Sequence, residues 1–399
     1  MADHQPNILF VTTDQHRCDA VGFMGSGEVH TPNLDRLAAS GVVFERAYVT
    51  NPVCMPSRAT FLTGQFPDSH GVRRNGIEVP DQPWGIGRVF GENGYRTGMF
   101  GKTHFSALRR DYQLDADFHN WNEGETYYGF EERAVTHDLK DYISDLATAY
   151  YREHDRPANL NFTHDDYLDW MEQEHPAHYP SAVREGLVEG QQPLAPELWT
   201  SDLPPELHQS RWIADQTMSF IDRHQEEPWF AWCSFVDPHH PFNAPGHYRN
   251  LYDTASFEAP VWDDTELERR SPYHQERSAQ QRGVWQEHWR EYRAQYYGMI
   301  SLIDDQVGRL IDHLERSNFR ERTIIVYTAD HGELLGDHGL SRKGLLHYEP
   351  LIRVPLQSPG PARFRRDSGS RESSKAWICR RRCWIWQALT FRPNTKVSP

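Results

Sequence analysis

Several large protein classes are excluded by what this sequence lacks. Its 399 residues hold five cysteines, an odd number in no framework spacing, so no disulfide scaffold is expected and a reducing compartment is. Positive charge is in deficit, with 42 Lys and Arg against 57 Asp and Glu, and the net charge of -15 argues against a general nucleic-acid or membrane-surface binder. A cleft can still be locally basic, because net charge describes only the average surface. The start, MADHQPNILFVTTDQ, has neither a basic leader nor a long apolar run. Neither a signal peptide nor a transmembrane helix is expected, and the protein reads as cytoplasmic. What is present is enough chain for one large α/β domain or two smaller ones. The 13 Trp, 18 Tyr and 22 His suit a wet, polar pocket lined by rings.

The stretches that read as strands share one habit: each runs into polar residues. Asn7–Thr13 (NILFVTT) is a continuous β-branched run, as a parallel strand buried on both faces requires, and it delivers Asp14 and Gln15 to its carboxyl end. Tyr95–Phe100 leads into Gly101, Lys102, Thr103 and His104; Trp229–Val236 into Asp237, Pro238, His239 and His240; Thr323–Thr328 into Ala329, Asp330, His331, Gly332 and Glu333. In open α/β sheets ligands bind outside the carboxyl ends of the strands. Helices are expected from Thr31 or Asn33 to Gly41, over Ile86–Asn93 and Trp212–His224, and over Tyr292–Leu314, where Ile300, Ile303, Val307 and Leu310 recur at helical spacing. Val42–Tyr48 reads as a strand. Phe257–Trp289 reads as a charged, Trp-rich loop. From about Arg109 to Trp212 the pattern turns acidic and aromatic, which suggests an insertion over the sheet that shapes a pocket, with Trp121, Tyr127, Tyr128 and His164 as candidates.

The stretch Asn51–Gly64, NPVCMPSRATFLTG, carries the sharpest chemistry. Ala59–Leu62 reads as a helix that stops at Gly64, which places Cys54 at a helix entrance. Pro56 falls where a missing N–H costs nothing, and the free amides of the first turn, at the positive end of the dipole, favour an anion beside Cys54. Arg58 adds a permanent cation. A thiol in such a field ionises easily, so the residues alone suggest a nucleophile acting on, or near, a tetrahedral anion.

C-x-P-S-R followed by A-T-F-L-T-G resembles the signature of the type I sulfatases of the alkaline phosphatase superfamily. Other words of that family recur in order: the Asp after the first strand, TPNLDRLAASGVVF, G-K-x-H, P-H-x-P, the Asp330 word and a later lysine. The resemblance implies an alkaline-phosphatase-like α/β fold with a mixed, largely parallel sheet flanked by helices. It implies that Cys54 is oxidised to formylglycine by a formylglycine-generating enzyme, and that the hydrate supplies the attacking oxygen. Asp14, Gln15, Asp330 and His331 then match the ligands of one divalent cation. Gln15 and His331 depart from the commoner Asp and Asn and match other branches of the superfamily. With two carboxylates, an amide and an imidazole, the set admits calcium first, and magnesium or manganese. Lys102 and Lys343 match sulfate-contacting lysines. His104 matches a residue that bonds either the nucleophile's second oxygen or the sulfate, and His239 the general acid, with His240 its rival by adjacency. His338 is either a supporting residue of the site or a loop stabiliser.

The likeness covers roughly Asn7–Leu356 and then breaks. Residues 1–356 read as the catalytic domain, with the insertion at about 109–212. Residues 357–399 read as an aberrant tail whose basic, Cys- and Trp-dense composition is compatible with an out-of-frame reading of the gene, with a clip through Cys379 and Cys383 as the alternative. The family's C-terminal antiparallel subdomain is therefore expected to be missing or replaced. The expected function is hydrolysis of a small-molecule sulfate ester, without nucleic-acid or membrane partners. A phosphonate monoester or phosphodiester hydrolase of the same superfamily is the rival, and an inactive binding protein the alternative from another class. The alcohol and the oligomeric state are left open.

Overall fold

In a computed structural model that describes residues 5–105, 126–137, 165–187 and 193–358, the run Asn7–Thr13 forms a wholly buried strand, β1, at the centre of a seven-stranded sheet. Its alternate residues serve two cores. Leu9 and Val11 join the cluster under the helices Gln209–Arg223 and Pro272–Arg316, whereas Ile8 and Phe10 join the one under Cys54–Thr63 and Ile86–Glu92. A strand with both faces covered must be apolar throughout, which is why the run is continuous rather than alternating.

Seven further strands follow in chain order before the last: β2 (Val42–Val43), β3 (Ala47–Tyr48), β4 (Arg96–Gly101), β5 (Glu132–Val135), β6 (Trp229–Ser234), β7 (Thr323–Ala329) and β8 (Arg353–Val354), with β9 (Leu356–Ser358) closing the set. The main sheet runs β2-β9-β7-β1-β6-β4-β5. β5, β4, β6, β1 and β7 are mutually parallel, and β9 is antiparallel to both β7 and β2. The register aligns Thr12 with both Ser234 and Thr328, and Gly101 with Ser234, so four strands end level. The backbone ladder continues one step past them: Lys102 N donates to Ser234 O (2.9 Å), Asp330 N to Thr13 O (3.1 Å) and Asp14 N to Asp237 O (3.3 Å). At β4 the close approach requires glycine: Gly101 has φ 92, and a Cβ there would lie 2.0 Å from Ser234 O.

Three expectations change. Val42–Tyr48 is not one strand; β2 belongs to the main sheet and β3 pairs with β8 in a separate two-stranded ribbon. The stretch taken as a loop before Trp289 is helix from Pro272 onward, because one 45-residue helix runs to Arg316. Its first third carries only scattered apolar residues, with Tyr273 exposed and Trp285 buried, and no apolar stripe to give the period away. The middle insertion contributes a strand to the sheet itself, β5 at its edge, along with the helices Asp166–Glu174 and Tyr179–Val183. Trp121, His164, Cys379 and Cys383 lie outside the described residues.

Among the described residues no helix is long and apolar enough to cross a membrane. Cys18, Cys54 and Cys233 are all free thiols.

Candidate active site

The helix Cys54–Thr63 is buried along almost its whole length and ends on Gly64 in the left-handed region, φ 67. It begins at the cysteine, earlier than the apolar residues alone suggest. Its amides do not form a free anion cradle: Pro56 has no N–H, and Met55 N donates to Asn75 Oδ1 at 3.1 Å. The charge acting on the thiol therefore comes chiefly from side chains.

Those side chains arrive from the level strand ends. Ligand atoms of Asp14, Cys54, Asp330 and His331 lie within 4.8 Å of one another, all buried. Cys54 Sγ is 3.2 Å from His331 Nε2 and 3.7 Å from Asp14 Oδ1, and His104 hydrogen-bonds the thiol. Lys102 Nζ lies 2.8 Å from Asp14 Oδ2, and Lys343 Nζ lies 3.8 Å from Asp14 Oδ1. Burial and Asp14 push the thiol's pKa up, yet Lys343, His331 and the His104 bond outweigh them and hold it well below the ordinary range. Burial likewise opposes ionisation of Asp14, and Lys102 and Lys343 overcome it. Asp330 goes the other way, raised by burial and by Asp14 against the pull of Arg58. The His331 imidazole is lowered by burial but raised more by Asp330 and Cys54, to about 9.

Arg58 takes a place different from the one its position beside the cysteine suggests. It is fully buried, and two of its three nitrogens are hydrogen-bonded to the protein: Nε on Asp330 Oδ2 (2.7 Å), and one terminal nitrogen on Lys102 O (2.7 Å) and Ser234 Oγ (2.8 Å). The other lies 3.6 Å from Asp14 Oδ2. Arg58 thus ion-pairs with the two carboxylates and ties β4 to the nucleophile helix, while its second terminal nitrogen makes no hydrogen bond among the described residues.

Gln15 sits in the left-handed region, φ 69, held by its own N–H on Asp330 Oδ1 (3.1 Å) and by Tyr296 Oη–H on its carbonyl (2.7 Å). Its side-chain amide bridges Lys343, Glu333 and His240. His239 and His240 stack with centroids 4.1 Å apart. Their roles separate: His240 Nδ1 meets Gln15 Nε2 at 3.0 Å, whereas His239 Nδ1–H donates to His240 O and Nε2 meets Lys343 Nζ. His338 lies away from the thiol, its Nδ1 on Glu266 Oε2 (2.8 Å) and its ring stacked on Tyr348, so it stabilises the loop. Tyr127 and Tyr128 are core residues rather than pocket walls. Tyr127 Oη–H donates to Thr103 Oγ1 (3.1 Å), between Lys102 and His104, and Tyr128 Oη–H to Val79 O (2.9 Å).

Sequence reasoning passed over Glu333, Ser234 and Asn75. Glu333 stood inside the Asp330 word and Ser234 inside a strand, and nothing in their types or spacing marked them.

The residues fit a divalent cation by their donor chemistry. Two carboxylates converge with an imidazole whose Nδ1 is on Gly332 O (2.8 Å), which leaves Nε2 as the atom turned to the cluster, and an amide oxygen of Gln15 lies on the Lys343 side.

The sheet, its flanking helices and the buried cluster at its carboxyl edge define an alkaline-phosphatase-like α/β fold. The model of the family described as Sulfatase matches residues 6–374, and the chain belongs to that family. It is 30% identical to an arylsulfatase of Clostridium perfringens over 373 residues, covering 89% of this chain and 69% of that protein. It is 27% identical to a choline-sulfatase of Rhizobium meliloti, covering 90% of this chain and 64% of that one, so the chain spans about two thirds of these relatives' length. Among solved structures, the phosphonate monoester hydrolase of Agrobacterium radiobacter superposes with a TM-score of 0.72 at 25% identity, covering 90% of this chain and 68% of that one.

Proposed function

We propose that the chain hydrolyses an organic sulfate ester, with formylglycine made from Cys54 by a formylglycine-generating enzyme, and with one divalent cation, calcium first. The observation that carries this is the convergence of Asp14, Cys54, Asp330 and His331 within 4.8 Å, with Lys343 and His104 acting on the sulfur and Lys102 on Asp14. A lone nucleophilic cysteine needs one base; a buried thiol beside Lys343, a protonated His331 and two carboxylates suits an anionic tetrahedral group held against a metal. Converted and hydrated, position 54 would supply two hydroxyls on one carbon, one to take the sulfuryl group from the alcohol and one to expel sulfate and restore the aldehyde. The cation, held by Asp14, Gln15, Asp330 and His331, would supply Lewis acidity toward the substrate's oxygens.

Each remaining role falls to a residue of this chain. Lys102 and Lys343 neutralise the oxyanion. His104 orients the hydroxyls at position 54. Arg58 ion-pairs with both carboxylates behind the site. With His239 Nδ1–H committed to His240 O, the other ring nitrogen accepts from the Lys343 ammonium. The proton that leaves with the alcohol therefore comes from the Lys343–His239 pair as a unit.

Gln15 and His331, together with the likeness to the phosphonate monoester hydrolase, favour one second reading: hydrolysis of a phosphonate monoester on the same machinery. Two measurements test the assignment. The mass of the peptide carrying Cys54, from a host with the maturation enzyme, is expected to show aldehyde in place of thiol. Rates on matched aryl sulfate and aryl phosphonate esters are expected to favour the sulfate, and a clear preference for the phosphonate overturns the first reading in favour of the second.

A further inference from the structure

Behind Gln15 stands a carboxylate with no part in the chemistry above. Glu333 is fully buried, and both of its oxygens are used. Oε2 accepts from Gln15 Nε2 at 2.7 Å, whereas Oε1 accepts the backbone N–H of Leu335 at 2.9 Å and that of Arg342. One side chain thus joins residue 15, at the end of β1, to the loop that carries Lys343.

We propose that Glu333 is a positioning residue that sets the amide orientation of Gln15, so that the oxygen and not the nitrogen is offered to the site. An amide can turn over at little cost in shape, and only its neighbours decide which end faces where. Here the neighbours are unambiguous. A carboxylate only accepts, so the NH2 end must face Glu333; an ammonium only donates, so the oxygen must face Lys343, whose Nζ is 3.0 Å from Gln15 Oε1. His240 Nδ1, 3.0 Å from Gln15 Nε2, reinforces the same choice as an acceptor. The ammonium that receives Gln15 Oε1 also lies 3.8 Å from Asp14 Oδ1, so both oxygens are presented to one side. The second arm of Glu333 keeps that ammonium in place through Arg342 N. The loop is braced from outside as well: Arg277 donates to Ser341 O and Lys343 O, and Gln281 Oε1 accepts Ser341 N at 2.9 Å.

The inference rests on the reading of Gln15 as a metal ligand, and its test needs no substrate, so it can fail while turnover stands, and the reverse. Calcium is titrated calorimetrically into chelator-treated protein. Replacing an outer partner of a metal ligand typically weakens binding about 10- to 100-fold. Glu333→Gln, which keeps the shape but sets an NH2 against the Gln15 NH2 or lets the Gln15 amide turn, is expected to weaken Ca2+ at least tenfold. Gln15→Ala is expected to do the same, and the pair Gln15→Ala with Glu333→Gln to be no weaker than Gln15→Ala alone.

An exchange guards against simple misfolding. In Gln15→Glu with Glu333→Gln, donor and acceptor trade places between residues 15 and 333, the bond from Lys343 is kept, and His240 Nδ1 becomes the donor to residue 15. This double variant is expected to bind Ca2+ within about threefold of wild type, well above Gln15→Glu alone, which opposes two carboxylates. The proposal is overturned if Glu333→Gln binds within twofold of wild type, if the losses of Gln15→Ala and Glu333→Gln multiply, if the exchange is no better than its single variants, or if wild type takes up no Ca2+.

Discussion

At the scale of single residues, the site works by keeping opposite charges at short range among buried side chains. Cys54, Asp14 and Asp330 would not all be tolerated in the interior as anions, and Arg58, Lys102, Lys343 and a protonated His331 supply the countercharge. The Lys343–His239 pairing makes a kinetic prediction. His239→Ala should slow esters of poorly acidic alcohols by about 10²–10⁴, and esters of an activated phenol much less, because only the former need a proton on departure. Equal losses on both classes in steady-state assays would place His239 outside proton transfer. Lys343→Met should weaken both substrate binding and turnover, and should also slow proton delivery, so its effects and those of His239→Ala should be non-additive in a double-mutant cycle.

At the scale of elements, two joints lock neighbouring elements together. Gly101 is one: with φ 92 and Ser234 O in the way of any Cβ, Gly101→Ala should cost at least about 2 kcal/mol in a denaturant titration and displace Lys102 next to it. The other joint is the start of the helix Pro32–Ala39. Neither Thr31 nor a neighbour caps it; Thr31 Oγ1 instead accepts Gly22 N. The cap comes from Asp304 on the long helix, whose carboxylate accepts Leu34 N (2.8 Å), Asn33 N (3.0 Å) and Asn33 Nδ2 (2.9 Å). Asp304→Ala should therefore cost about 1–2 kcal/mol at neutral pH.

Asp304 also titrates in an unusual window. Burial pushes its carboxyl up to about 6, against the pull of the backbone N–H groups of Leu34 and Asn33. The folded protein then holds this proton more tightly than the unfolded chain. The stability it contributes is present in full below about pH 4 and is lost as pH rises through 6, on the order of 3 kcal/mol. Asp304→Asn should remove this slope, seen as the difference between the two proteins' unfolding free energies over that range.

At the scale of the molecule, the carboxyl edge of the sheet gathers two carboxylates and an imidazole whose donor atoms suit a divalent cation. Calcium at about a hundred times its dissociation constant should stabilise the folded chain by about 2.7 kcal/mol, visible as a rise in melting temperature that a chelator reverses. Asp330→Asn should abolish the rise. A melting temperature indifferent to both additions would remove the metal from the account.

How much of this was legible beforehand divides along physical lines. The strands β1, β6 and β7 are continuous apolar runs because both of their faces are covered, and that property is local, so they could be read residue by residue. The polar residues after them could be read too, since a strand exit has a direction. The first third of the helix Pro272–Arg316 could not, because a mostly solvated helix carries no apolar period, and β5 could not, because a four-residue edge strand has too little pattern.

The sequence by itself determined the cysteine at a helix entrance, the order of the family's words, and therefore the family. Only the tertiary structure decided that Arg58 faces Asp330, that Asp304 caps a helix some 270 positions earlier, and that Glu333 orients Gln15. Each of these is a choice of partner between charges or dipoles far apart in the chain, and such a choice exists only once the packed sheet and helices have brought them within a hydrogen bond of one another.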